Sequence, residues 1–194
     1  IVYRKNISHI IPNGVQLEKF YISEDDYRNE LGLEKAKKYI LFLGNPVDAN
    51  KNFKLAKDAV GIINRSDIEL INVFKAPHTD VVKYLNSVDV FVHCSFAEGS
   101  ANAIKEAMAM NCPMVITGAG DAGWVVGETE GCFISSYEPE KFAADILKAL
   151  AFAEEKGRTH GRERLCRLGL DAETVAQKII EVYEKVLNKK DYSG

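Results

Sequence analysis

Short blocks of consecutive apolar residues recur along the chain, and between them apolar positions return at the three- and four-residue intervals of a half-buried helix. The blocks at 39–43 (closing on Gly44), 68–74, 88–93, 113–117 and 132–135 read as strands. The amphipathic stretches at about 52–64, 79–87, 101–110, 160–168 and 172–188 read as helices. A long helix starts at Pro139, a residue suited to a first helical turn, and stops at Gly157. Upstream, a short apolar run at 7–11 ends in the turn signal Pro12-Asn13-Gly14. Ser23 with Asp26 predicts the cap of a short helix that stops near Gly32. Gly120-Asp121-Ala122-Gly123 reads as a glycine-rich turn.

Continuous apolar strands that alternate with helices are buried on both faces. The expected fold is therefore α/β, a Rossmann-like doubly wound parallel sheet with extra C-terminal helices. Such sheets bind ligands at the carboxyl ends of their strands. Gly44 and Glu98 both lie just past a strand end, so their loops are expected to meet at one crevice. The expected division is a linker and first short strand at 1–14, a ligand-binding domain at 15–170, and a C-terminal helix and tail at 171–194.

The second of those loops carries the most informative chemistry. Glu98 and Glu106 flank Gly99-Ser100-Ala101-Asn102 where the strand at 88–93 turns into a helix. Unpaired N–H groups and the helix dipole attract an anion at such a junction, and Gly99 permits close backbone approach. Glu106 falls about a turn and a half into the helix, beyond the phosphate, where the paired hydroxyls of a ribose could donate to its two oxygens. Lys51 ends the polar loop 45–51 at a helix start, an unfavourable place for a cation unless an anion is present.

Other residues carry less. His93-Cys94-Ser95 is set aside as a nucleophile and base because neighbours on a strand point to opposite faces; His93 instead fits a hydrogen-bond donor at the crevice mouth. Asp25-Asp26 reads as charge at a helix N-terminus, and Trp124 as a packing anchor. No D-x-D or His/Asp cluster has the spacing of metal ligands.

Composition narrows the ligand. With 194 residues, of which 46% are hydrophobic and 27% charged, the chain can bury a proper core. A net charge of −3 with scattered Lys and Arg gives no footprint for nucleic acid, so the expected phosphate ligand is small. Cys94, Cys112, Cys132 and Cys166 are unevenly spaced with no C-x-x-C pair, which predicts free thiols in a reducing cytoplasm. No apolar run approaches the roughly 20 residues that span a bilayer.

On these motifs the chain resembles the C-terminal, donor-binding half of a family 4 (group 1) retaining glycosyltransferase with the GT-B fold. The resemblance runs from Ile11-Pro12-Asn13-Gly14-Val15 through the strand at 88–93 and Glu98-Gly99-Ser100-Ala101-Asn102-Ala103-Ile104-Lys105-Glu106-Ala107-Met108-Ala109 to the closing helices. The E-x7-E core, followed by Asn111-Cys112-Pro113-Met114-Val115 and Gly120-Asp121, is its specific part. It implies metal-independent transfer of a sugar from a nucleotide-diphosphate sugar, such as a UDP- or GDP-sugar, to an acceptor hydroxyl, with no cofactor. Glu106 would take the ribose and Glu98 would act near the sugar as the catalytic residue. Gly99, Ser100 and Ala101 would hold the diphosphate, with Asn102, Gly44 and Lys51 beside it and Phe74 and Lys75 bordering the base. The family commonly places an arginine after the glycine ending this first strand; here Asn45 stands there.

In this fold the acceptor site belongs to an N-terminal domain, and the Ile-Pro-Asn-Gly stretch normally opens the second. The resemblance therefore implies that the missing N-terminal acceptor-binding domain is the partner of this chain, that the chain alone is inactive, and that the full-length protein is cytoplasmic, with association at the inner membrane face through that domain. Two other readings compete: a nucleotide-sugar 2-epimerase-like domain and a non-enzymatic nucleotide- or partner-binding module.

Overall fold

The computed structural model describes residues 9–188. The chain runs through β1 (Lys38–Leu43), a 3-10 turn (Ala49–Lys51), α1 (Phe53–Ile63), β2 (Ile68–Val73), α2 (His78–Ser87), β3 (Val90–His93), α3 (Asn102–Ala109) and β4 (Met114–Thr117). It continues through α4 (Ala122–Val126), β5 (Cys132–Ser135), α5 (Pro139–Lys156), α6 (Gly161–Leu168) and α7 (Ala172–Asn188). The five strands pair in parallel in the order β2-β1-β3-β4-β5. This is the doubly wound sheet expected from the sequence.

The inner strands β1, β3 and β4 are largely apolar because both faces are covered, while the edge strand β2 carries the exposed Glu69, and successive side chains go to opposite layers. Leu41, Phe91, Met114 and Ile116 pack with Leu85, Ile104, Met108 and Leu165 on one side. Ile40, Phe42, Val92 and Val115 pack with Leu55, Ala59, Phe142 and Ile146 on the other. All of these side chains are buried, and burying each of the larger ones contributes about 1.5–3 kcal/mol.

Three local expectations are corrected. The helix expected from Ser23 to Gly32 is a run of turns. Ser23 Oγ accepts the N–H of Asp25, and Asp26 accepts that of Arg28, so local side chains compete with the helical ladder. Arg28 then reaches away to the carbonyls of Ser87 and Lys37 and to Asp89 at 3.0 Å, and Asp25-Asp26 stands at no helix start. The glycine-rich turn holds at Gly120 and Asp121 but runs straight into α4 at Ala122. Trp124 on that helix is 49% exposed, so it does not anchor the core.

The short strand expected at 7–11 lies partly outside the described residues, and its described part forms no strand. Beyond it Val15 bridges to Asp171, exchanging hydrogen bonds with Leu170 and Ala172. Gly14 is required there, because a Cβ would stand 2.8 Å from the Cα of Ala172. All four cysteines are free. Among the described residues, no helix is long and apolar enough to cross a membrane.

Candidate functional site

The strand order reverses direction between β1 and β3, and a crevice opens at such a point beyond the carboxyl ends of the strands. The loops after β1 and β3 meet there. Asn50 fastens them: its amide donates to the carbonyl of Ala97 (2.9 Å) and accepts the Ala97 N–H (3.0 Å), while its own carbonyl accepts the N–H of Phe96. Gly44 lies against the stem of Lys51, where a Cβ would sit 3.7 Å from Lys51 Cγ. Asn45 Oδ1 accepts the N–H of Val47 within its own loop, and it offers no cation where an arginine is common.

A third loop completes the floor. At Gly120 (φ +64°) a Cβ would fall 2.5 Å from the carbonyl oxygen of Glu98, so only glycine permits this approach. Asp121 N–H donates to the carbonyl of Gly99. The helix α3 starts after Ala101, which has no side chain able to cap it. Among the described residues, no backbone hydrogen bond occupies the N–H groups of Gly99, Ser100 or Ala101, and the space beside Gly99 is open. These groups can receive an anion.

Lys51 and Glu98 meet at this mouth with Nζ to Oε1 at 2.7 Å. Burial works against the Glu98 carboxylate, but hydrogen bonds from Lys51 and Ser95 outweigh it and hold the carboxyl below its usual range. His93 Nε2 stands 3.5 Å from both Glu98 Oε1 and Ser95 Oγ. His93 and Ser95 thus share a side, while Cys94 is buried opposite with its thiol pushed up to about 12 by burial. His93 is 4% exposed, and burial lowers its pKa from 6.5 to about 4 despite the neighbouring Glu98.

A pH dependence follows from the buried imidazole. Above pH 6.5 it is neutral in both folded and unfolded chains and costs nothing. As pH falls from 6.5 toward about 4 the unfolded chain takes up the proton first, so stability declines by up to about 3 kcal/mol. Denaturant unfolding at pH 7 and pH 5 should show about 2 kcal/mol of this loss for the native chain and a smaller one for His93→Asn. Equal losses in both would remove His93 as the cause.

Glu106 lies on the other flank of α3. It lines a cleft of about 140 Å³ together with Val15, Gln16, Phe20, His78 and Asn102. Burial raises its pKa, weakly opposed by His78. Among the described residues, no hydrogen bond is made to its carboxylate, which leaves both oxygens free for a ligand's donors. Phe74 and Lys75 are exposed just past β2, with the lysine ammonium over the ring. Their loop leads into α2, whose first residue, His78, reaches the Glu106 cleft.

Sequence reasoning missed Asn50, His78, Asn13, Lys105 and Asp121. Asn13 Nδ2 donates to the carbonyl of Ser100 and to Asn102 Oδ1, each at 3.2 Å. The Lys105 ammonium, inside the fold, donates to the carbonyl of Asn13 and to Ser100 Oγ. Asn13 and Asp121 stand in the motifs quoted above without a role there, and the sequence signal for Lys105 is a lysine inside the otherwise apolar face of a short helix.

The comparisons with known proteins agree on a class. The sequence model of the family described as "Glycosyl transferases group 1" matches residues 72–151. TuaC of Bacillus subtilis (strain 168), named for a glycosyltransferase of teichuronic acid biosynthesis, is 22% identical over an alignment that covers 73% of this chain and 41% of the relative. Sucrose-phosphate synthase from Thermosynechococcus elongatus superposes with a TM-score of 0.82 at 21% identity, covering 93% of this chain and 53% of that one. HepE of Anabaena, solved with UDP and glucose, gives 0.73 at 18% identity, covering 91% and 56%. The resemblance to the C-terminal domain of a group 1 glycosyltransferase is thereby borne out. The chain spans about four-tenths of the curated relative and about half of these solved chains.

Proposed function

We propose that the crevice between the β1 and β3 loops binds a nucleotide-diphosphate sugar, and that the parent protein is a retaining glycosyltransferase that passes the sugar to an acceptor hydroxyl. The observation that carries this reading is the placement of an uncapped helix start between the Lys51–Glu98 pair and the free carboxylate of Glu106. Diphosphate oxygens fit the N–H groups of Gly99, Ser100 and Ala101 with Lys51 beside them. Ribose hydroxyls fit Glu106, and the base extends toward His78, Phe74 and Lys75. That HepE was solved with UDP and with UDP-glucose supports the choice of ligand.

In transfer, negative charge grows on the leaving diphosphate while positive charge develops at the sugar. Lys51 and the α3 amides oppose the first, and the Glu98 carboxylate lies on the side of the second. The acceptor hydroxyl attacks on the face the diphosphate leaves, passing its proton to the departing phosphate. The acceptor wall belongs to a further domain of the parent protein. One feature here fits that arrangement: Ile179, Ile180, Tyr183, Val186 and Leu187 form an exposed apolar stripe along α7.

The positive field in this scheme comes from Lys51 and the helix start, not from a metal. Titration of a nucleoside diphosphate should therefore give the same affinity with and without a strong chelator. Abolition of binding by the chelator would overturn the metal-independent part of the reading. Incubating the donor with this chain and finding a 2-epimer would favour the epimerase alternative.

A further inference from the structure

Lys105 has a side chain only 1% exposed, on a face of α3 otherwise given to Ile104, Ala107 and Met108. A leucine there would fill the space without desolvating a charge, so an ammonium needs compensation. Side chains on a helix lean toward its N-terminus, and this one leans back to the turn that opens α3. Its Nζ donates to the carbonyl of Asn13 at 2.9 Å and to Ser100 Oγ, and stands 4.0 Å from Asp121 Oδ2. Ser100 Oγ passes its own proton donation to Asp121 Oδ2 at 2.5 Å. Asn13 holds Ser100 by its carbonyl, and Asp121 N–H holds Gly99 by its carbonyl.

The consequence is a knot around the buried lysine that ties together three separate segments: residue 13, the turn 99–101, and the start of α4. All of it sits directly behind the open amides. A cation near a helix N-terminus is disfavoured by the dipole, and a bound anion reverses that preference. Asp121 offsets the charge in the free protein. Asn45 supplies no cation after β1, so Lys105 adds its charge to that of Lys51, with burial lowering its pKa and Asp121 opposing that shift.

We propose that Lys105 is a positioning residue of the diphosphate site: through Ser100 and Asn13 it fixes the direction of the Gly99, Ser100 and Ala101 amides, and its charge favours an anion in front of them. The inference rests on the nucleotide-sugar reading for the identity of that anion. It does not touch the ligand, so its loss should weaken the phosphate contact and spare the nucleoside contact at Glu106.

The test uses the 194-residue chain with Lys105→Met, Lys105→Arg and Ser100→Ala. Two readouts are taken: amide hydrogen exchange in the ligand-free chain, and affinity for UDP, GDP and their nucleosides. In Lys105→Met, exchange at Asp121, whose N–H bonds the Gly99 carbonyl, should quicken while α5 keeps its protection. The affinity for the better-bound diphosphate should fall about tenfold, with the nucleoside unchanged. Lys105→Arg should recover part of the diphosphate affinity, and Ser100→Ala should reproduce the selective loss even if Lys105→Met does not fold. Unaltered exchange and affinity in a folded Lys105→Met, equal weakening of diphosphate and nucleoside, or a silent Ser100→Ala would each overturn the proposal. Failure of the native chain to bind either diphosphate would instead overturn the nucleotide reading, while the exchange measurement would still decide whether Lys105 holds the turn.

Discussion

Replacing Glu106 by alanine should weaken nucleoside diphosphate binding by at least about tenfold and leave the chain folded. Its carboxylate faces a cleft, makes no hydrogen bond among the described residues, and is held at a raised pKa by burial. Such a group gains most when a ligand brings donors to it, at about 1.5–3 kcal/mol for each hydrogen bond to a charged acceptor. Removing it also relieves a desolvated carboxylate, so the free protein should not lose stability. Glu106→Gln, which keeps the shape but one acceptor fewer, should fall between the two. Calorimetric titration of the three proteins checks this order, and native affinity in a folded Glu106→Ala would take the residue out of the ribose role.

Lys51→Ala should produce the other large effect, a loss of about tenfold in diphosphate affinity with the nucleoside affinity retained. Lys51 is held beside the loop that opens α3 by its ion pair with Glu98, and the 3-10 turn at Ala49–Lys51 fixes its backbone. The same substitution strips Glu98 of its closest partner. With burial then less opposed, the Glu98 carboxyl should titrate at higher pH than in the native chain. Both consequences come from one contact, so a Lys51→Ala chain that loses neither diphosphate affinity nor the low Glu98 pKa would contradict the placement of Lys51 at the phosphate.

The parts of this fold that could be read in the sequence are those set by local pattern. The strand blocks and the long helix from Pro139 were legible because burial on both sheet faces writes itself as continuous apolar runs. The E-x7-E spacing marked the candidate site because a strand-to-helix junction is a local event. The segment 23–32 misled because Ser23 and Asp26 are cap-forming residues that also make isolated turns, and Arg28 draws the backbone out of a helix through contacts with Ser87 and Asp89. Gly120 and Gly123 masked α4, since Gly120 is there for its approach to Glu98 and not to end an element. The clamp of Asn50 on Ala97 and the bond of Lys105 to Asn13 join residues far apart in the chain, and no period or motif announces them.

The account stands on the crevice between the β1 and β3 loops being the nucleotide site. Following backbone amide shifts of the isotopically labelled chain during titration with UDP, and separately with GDP, tests this most directly. The predicted result is a saturable response to one of them, concentrated at 44–51, 98–102 and around Glu106 and His78, and retained in the presence of a chelator. Saturable shifts confined to another part of the molecule, or no response to either nucleotide, would contradict it.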